Sequence, residues 1–422
     1  MMTKLERRNY FGEPRDIKRN TVLYFFDGVT FMPSLALLSM TTVIPYFLET
    51  LQASTFEFAI AASITTVGML VGKPIFGSMA TRAKSMTKTF AKVLFAQRLI
   101  FLSFVLMMPL FAGNQALMIW MFIVFWGIYN VFMGSGFVFS VSIIFKLFPP
   151  DKRAGMRGVG QAVGNLIALG MAGLIPTILV GFSFPYNFMA IFLVALAFLF
   201  LNTTGFLLMK EHEDVEPRVG MRVLEYIKEL PVCLREDSTF RAMVLSCMFL
   251  VLGVSLIPFY TLYGIRTFEL NVEQIALLTT LAIGSALFTH LVFGFIIDRL
   301  GAVRISPIIG VIVLLSGLLI WLSSSILPFY LAWVLINVGN HCYMKVANLM
   351  LGDVAPPRKV ALYVGVLFII SMSLSSLVVL VLAPILEFAG FGILFGLVTV
   401  CGGLGLFYNI FVFQKRLKFG RM

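Results

Sequence analysis

Apolar residues in this chain gather into about twelve runs separated by short polar breaks. A bilayer core takes roughly 20 apolar residues per helical crossing, and each run reaches that length. The pattern predicts helices near 21–48, 56–80, 89–111, 116–147, 156–181 and 185–209. A second set follows near 240–268, 272–297, 303–324, 327–352, 360–387 and 390–413. One long hydrophilic stretch, Lys210 to Arg241, divides them six and six. The expected architecture is an all-α membrane protein with two pseudo-symmetric six-helix bundles, at 21–209 and 240–413. A polar arm (1–20), a linker (210–239) and a tail (414–422) complete it. Within the linker, Met221, Leu224, Ile227, Leu230 and Leu234 recur at three- and four-residue spacing among Arg222, Lys228 and Arg235. That spacing predicts an amphipathic helix lying on the membrane surface.

Composition agrees with the pattern. Charged residues are 12% of the chain, about half the share of a soluble domain, and 59% of residues are hydrophobic. The net charge of +12 is dispersed among loops and termini, which argues against a nucleic-acid partner. Basic residues occupy the N-terminal arm, the tail and alternate loops, while the intervening loops carry acids such as Glu49, Glu269 and Glu387, with Arg266 the exception. Positive charge stays on the cytoplasmic side, so both termini are expected there. The first 20 residues lack an apolar stretch, so no cleavable signal is expected. The four cysteines form no CxxC pair and imply neither a disulfide framework nor a metal site. No HExxH, GxSxG or Walker A sequence is present, so neither an enzyme nor ATP-driven chemistry is expected, and no cofactor.

The chain also repeats itself. Trp126 to Gly158 aligns without a gap on Trp333 to Gly365, pairing Trp126 with Trp333, Asn130 with Asn337, and Pro149-Pro150 with Pro356-Pro357. A basic pair follows the prolines in each copy. In an apolar chain, two related halves are a mark of secondary transporters.

The loops after the second and eighth runs carry a further pattern. Gly294, Asp298, Arg299, Gly301 and Arg304 follow the eighth run, in the form Gly-x-x-x-Asp-Arg-x-Gly with a later basic residue. After the second run, Gly77 and Arg82 keep the pattern, but Thr81 stands where the acid would be and Lys84 where the second glycine would be. Arg153 and Arg358 follow prolines after the fourth and tenth runs. With six plus six spans, these loops resemble the major facilitator superfamily. The resemblance implies that these loop residues serve gating. It also implies that the first, fourth, seventh and tenth helices line a central cavity near the midplane.

Ionisable groups inside the membrane cost at least a few kcal/mol, roughly 2.5–3.5 on insertion scales, and so require a reason. Asp27 is the only acid well inside the first half, and Arg98 and Lys73 are its possible partners. Asp27 is therefore the expected proton-coupling residue, with a structural ion pair as the competing role. His290 lies in the eighth run. In the tenth, Asn337, His341, Lys345 and Asn348 share one helical face. Arg98, His341 and Lys345 suggest an anionic group on a substrate, and the shared Asn130 and Asn337 fit cavity or helix-pinning roles equally. Trp126, Tyr129 and Trp333 are further cavity candidates.

The combined expectation is a monomeric, proton-coupled secondary transporter of the cytoplasmic membrane, working by rocker-switch alternating access on a small molecule. Efflux of an amphipathic compound is favoured over carriage of an organic anion, because aromatic and methionine side chains are so abundant. A transporter-like receptor or assembly factor without turnover is the rival from another class.

Overall fold

The computed structural model describes residues 14–148, 150–211, 232–322, 325–355 and 360–419. Among these the chain is helical throughout, with no strand. The linker's amphipathic stretch up to Leu230 lies outside the described residues, as do Pro149, Pro356, Pro357 and Arg358.

The first half comprises α1 (Pro14–Leu37), α2 (Val43–Thr50), α3 (Thr55–Thr81), α4 (Met86–Phe111), α5 (Gln115–Leu147), α6 (Pro150–Gly181) and α7 (Tyr186–Leu208). The second comprises α8 (Ser238–Val254), α9 (Ile257–Phe268), α10 (Val272–Phe288), α11 (Gly294–Leu300), α12 (Ala302–Trp321), α13 (Ile326–Val354), α14 (Val360–Ala389), α15 (Gly392–Tyr408) and α16 (Gln414–Phe419). Single π-helical turns at Thr289–Phe293 and Asn409–Phe413 join α10 to α11 and α15 to α16. All twelve apolar runs are therefore helical. Two of them break internally, at residues 38–42 and at Ser255–Leu256.

The first helix starts at Pro14, earlier than the polar arm predicted. Polar side chains tie this first turn to the end of α7: Arg19 donates to the Leu208 carbonyl at 2.6 Å, and Asn20 and Lys210 exchange two hydrogen bonds. Lys210 also pairs with Asp16 at 3.2 Å. A proline at the helix start and an acid in the first turn suit the positive end of the helix dipole.

Among the described residues ten helical segments are long and apolar enough to cross a membrane, so this is a multi-pass membrane protein. The two runs outside that set are the first and the tenth. They carry Asp27, and Asn337 with His341 and Lys345, so polarity lowers the hydropathy of those two helices. The remaining helices expose large apolar side chains, such as Leu110, Val180 and Leu322. Exposed apolar surface of this kind is what lipid solvates.

The chain falls into two compact units, residues 1–52 with 67–220, and residues 53–66 with 221–422. Lipid is as apolar as leucine, so helices within each unit associate through close packing and interhelical hydrogen bonds. In the first unit α1 and α6 meet through glycines. A Cβ at Gly164 would stand 2.2 Å from the Gly28 carbonyl oxygen, and one at Gly28 would stand 2.5 Å from the Gly160 carbonyl carbon. In the second unit α12 and α15 meet likewise, with Gly402 against the Leu314 backbone. Aromatic packing completes the first core. Trp126 stacks on Tyr129 with centroids 5.3 Å apart, and Phe101 lies against both.

Gly164→Val should therefore push α6 off α1, at a cost of about 1–3 kcal/mol. The melting temperature in detergent should fall, while Gly170→Val, which meets open space, should leave it unchanged.

Candidate functional site

Arg98 sits in the middle of α4, within its apolar stretch, and is 1% exposed. A guanidinium has five N–H donors, and buried among the helices it finds acceptors in the protein. Nε donates to the Leu199 carbonyl at 3.4 Å, and one terminal nitrogen donates to the Gln97 side-chain carbonyl. The other donates to Asn202 Oδ1 at 3.3 Å. Gln97 in turn donates to the Tyr129 carbonyl at 2.8 Å, which ties α4 to α5.

Asn202, on α7, is the hinge of the arrangement. Its Nδ2 donates to Asp27 Oδ1 at 2.6 Å and to Thr30 Oγ1 at 3.4 Å, while its Oδ1 receives Arg98. The amide has both a donor and an acceptor end, so it can face a carboxylate and a guanidinium at once. Asp27 and Arg98, the two sequence candidates, are thus joined through a third residue. Sequence reasoning weighed the ionisable groups, the asparagines of α5 and α13 and three aromatics, and passed over Asn202. The available signal was an asparagine deep in the apolar run of α7, well away from Asn187 at its start.

This triad closes the polar end of a cavity of about 300 Å³ wholly within the first unit. Gln161 contributes one more amide, and the rest of the wall is largely aromatic and methionine, including Phe31, Met69, Phe90, Met133, Phe137 and Phe206. Lys73 does not line this cavity in the same way as Arg98. Its Nζ lies 4.0 Å from the centroid of Phe137, on the cavity wall.

The second unit carries a related bridge without the charges. Asn409 donates to Ser246 Oγ at 3.1 Å and accepts from Ser306 Oγ at 2.9 Å. The gap-free register that pairs Trp126 with Trp333 also pairs Asn202 with Asn409. Each asparagine therefore links the first and third spans of its half. In one half the partners are Asp27 and Arg98; in the other they are two serines.

The repeated asparagines of α5 and α13 behave alike. Asn130 Nδ2 donates to the Trp126 carbonyl at 2.8 Å, and Asn337 Nδ2 to the Trp333 carbonyl at 2.9 Å. Both are buried. Trp333 is itself fully buried, with its indole nitrogen donating to the Leu278 carbonyl at 2.9 Å. Trp126, Tyr129 and Trp333 therefore pack inside their own units.

On α13 the predicted shared face divides. His341 and Lys345 turn toward the π-helical turn after α10, where the His290 and His341 rings lie 6.3 Å apart and Lys345 Nζ donates to the His290 carbonyl at 3.3 Å. A separate cavity of about 210 Å³ is lined instead by Asn340, Tyr343, Met344, Ala347 and Asn348. Asn337, His341 and Lys345 are absent from its lining.

The loop residues are placed as follows. Gly294 to Leu300 form α11, and Gly301 ends it with φ +83°, a backbone conformation that favours glycine. Arg299 lies 4.1 Å over the Phe295 ring, and Arg304 is exposed in the first turn of α12. Asp298 lies in α11 and Arg153 in α6, but their side chains are outside the described residues. In the first half α3 ends at Thr81 and Arg82 is exposed.

At the start of α4, Glu211 does work that no sequence motif announced. Its carboxylate accepts from the Met86 and Thr87 amides, both at 3.0 Å, and from Ser85 Oγ at 2.8 Å, and pairs with Lys146 at 2.6 Å. Burial pushes its pKa up, but the Lys146 ammonium and these donors outweigh it, holding the carboxyl below its ordinary value.

No family model matches the sequence, and no curated protein matches it. The fold does match solved structures. A variant of the nucleoside transporter NupG superposes with a TM-score of 0.70 at 12% identity, covering 95% of this chain and 99% of that one. The human organic anion transporter MFSD10 (TETRAN) gives 0.64 at 15% identity, covering 94% and 100%. A POT family transporter in complex with a thioalcohol-conjugated peptide gives 0.67 at 15%, covering 97% and 98%.

Two outcomes follow from this geometry. Asn202→Leu removes an acceptor from buried Arg98 and a donor from Asp27, so thermal stability in detergent should drop by about 1–3 kcal/mol. Glu211→Gln should lower the melting temperature at pH 7. Because the native carboxyl titrates below its unfolded value, its contribution is complete above that value and fades as pH falls through the native one. The gap between wild type and Glu211→Gln should therefore close in acid.

Proposed function

We propose that this protein is a proton-coupled secondary transporter of the cytoplasmic membrane that exports a small amphipathic solute by alternating access. The chain has the major facilitator fold, and the solved structures that share it across almost their whole length are transporters. The observation that carries the reading is the first-unit cavity, with its apolar wall and the Asp27–Asn202–Arg98 triad at one end. Its volume of about 300 Å³ is at the lower end of small-molecule pockets. Aromatic and methionine walls accept varied apolar shapes.

The coupling follows from the triad. Ionised Asp27 accepts from Asn202, and Arg98 balances its charge through the same amide. Protonation removes that charge, weakens the 2.6 Å contact and leaves Arg98 the only charge in the triad. A solute cation at the polar end would compete with the proton for Asp27. Such competition biases a two-state equilibrium only through this difference in affinity. The alternating basic loops support cytoplasmic termini.

A second reading, carriage of an organic anion, draws on the His290–His341–Lys345 cluster, which is rich in groups that can bear positive charge. It sits beside a π-helical turn, a distortion frequent at functional sites.

Thermal stabilisation of the purified protein separates the readings. Tetraphenylphosphonium should stabilise the wild type, since ionised Asp27 can bind a cation. Asp27→Asn should abolish the stabilisation. Stabilisation by naphthalenesulfonate, lost in Lys345→Ala, with none by the cation, would overturn the first reading in favour of the second.

A further inference from the structure

The Thr81 departure has a structural counterpart. Between the end of α3 and the start of α4 lies an open cleft of about 640 Å³, lined by Arg82, Lys84, Lys88 and Lys92 with Ile75 and Met79. The four basic side chains are all exposed, and among the described residues none of them is held in an ion pair. Among the described residues no acid lines the cleft. The equivalent loop of the second half carries Asp298 beside its arginines, whereas here that position is Thr81. The nearby Glu211 is already committed to Lys146 and the first amides of α4. Among the described residues the cleft is a concentration of positive charge without an internal counter-ion.

Its walls give the shape of the missing partner. On α3, exposed Val71, Ile75 and Met79 succeed one another every fourth residue and lead to Arg82. On α4, exposed Lys88 and Lys92 are followed at helical spacing by exposed Phe95 and Leu99. Both helices thus present a stripe that is cationic at the loop and apolar toward the membrane interior. A soluble anion would use only the first part. An anionic lipid uses both, with phosphates among the cations and acyl chains along the stripes. Basic pockets between membrane helices on the cytoplasmic side are suited to such headgroups.

We propose that this cleft is a binding site for an anionic phospholipid bearing two phosphates, of the diphosphatidylglycerol type. Arg82 and Lys84 hold one phosphate from the α3 side, and Lys88 and Lys92 hold the other from α4. Ile75, Met79 and Phe95 pack against the acyl chains. The site is independent of the Asp27 cavity and of what the protein carries.

The test is lipid binding to the full-length protein in detergent, read by native mass spectrometry and by thermal shift. Tetraoleoyl diphosphatidylglycerol should bind at least tenfold more tightly than phosphatidylcholine and raise the melting temperature. Soluble pyrophosphate at the same concentration should do neither. Lys88→Gln/Lys92→Gln and, separately, Arg82→Gln/Lys84→Gln should each lose the preference by tenfold or more. These positions are exposed, so unliganded melting temperatures should match the wild type. Equal binding of the zwitterionic lipid, an unchanged preference in both variants, or equal stabilisation by pyrophosphate would overturn the proposal.

Discussion

A guanidinium buried away from water governs the first unit. Arg98 cannot lose its proton, and lipid offers it no acceptor, so everything within reach must be polar on the side that faces it. The Leu199 carbonyl, Gln97 and Asn202 meet that requirement, and Asn202 extends it to Asp27. One constraint thereby sets the rotation of α7 against α4 and the placement of α1. The coupling proposed above draws on the same constraint. A charge balanced through a single amide is sensitive to whether the carboxylate at the far end is ionised.

The duplicated halves show what the charge was added to. Asn202 and Asn409 occupy matching places and each ties together three spans, but only the first is flanked by an acid and a base. The neutral bridge demonstrates that hydrogen bonding alone suffices to hold such helices. The loops diverge in the opposite direction: the second half keeps its acid at Asp298, while the first half replaces it with Thr81 and leaves a basic cleft.

Much of this was legible in the amino-acid order. Length and apolarity of the runs mark the twelve helices, because a bilayer demands both. The repeat marks two halves through Trp126, Trp333 and the asparagines. Asp27 and Arg98 stand out because charge is rare in such helices. The helix ends were less legible: α1 reaches back to Pro14, where Asp16, Arg19 and Asn20 find partners at Leu208 and Lys210, distant in sequence.

The membrane-crossing runs and the positions that cannot be polar by accident are therefore properties of the sequence itself, since both follow from transfer free energies read one residue at a time. Partnership is not. That Asn202 bridges Asp27 to Arg98, that Trp333 is anchored on Leu278, and that His341 and Lys345 turn to His290 while Asn340 and Asn348 line a cavity all depend on helix rotation. In a helix whose every face is apolar, periodicity carries no signal of rotation. Close glycine contacts and pairwise hydrogen bonds decide it, and only the tertiary structure contains them.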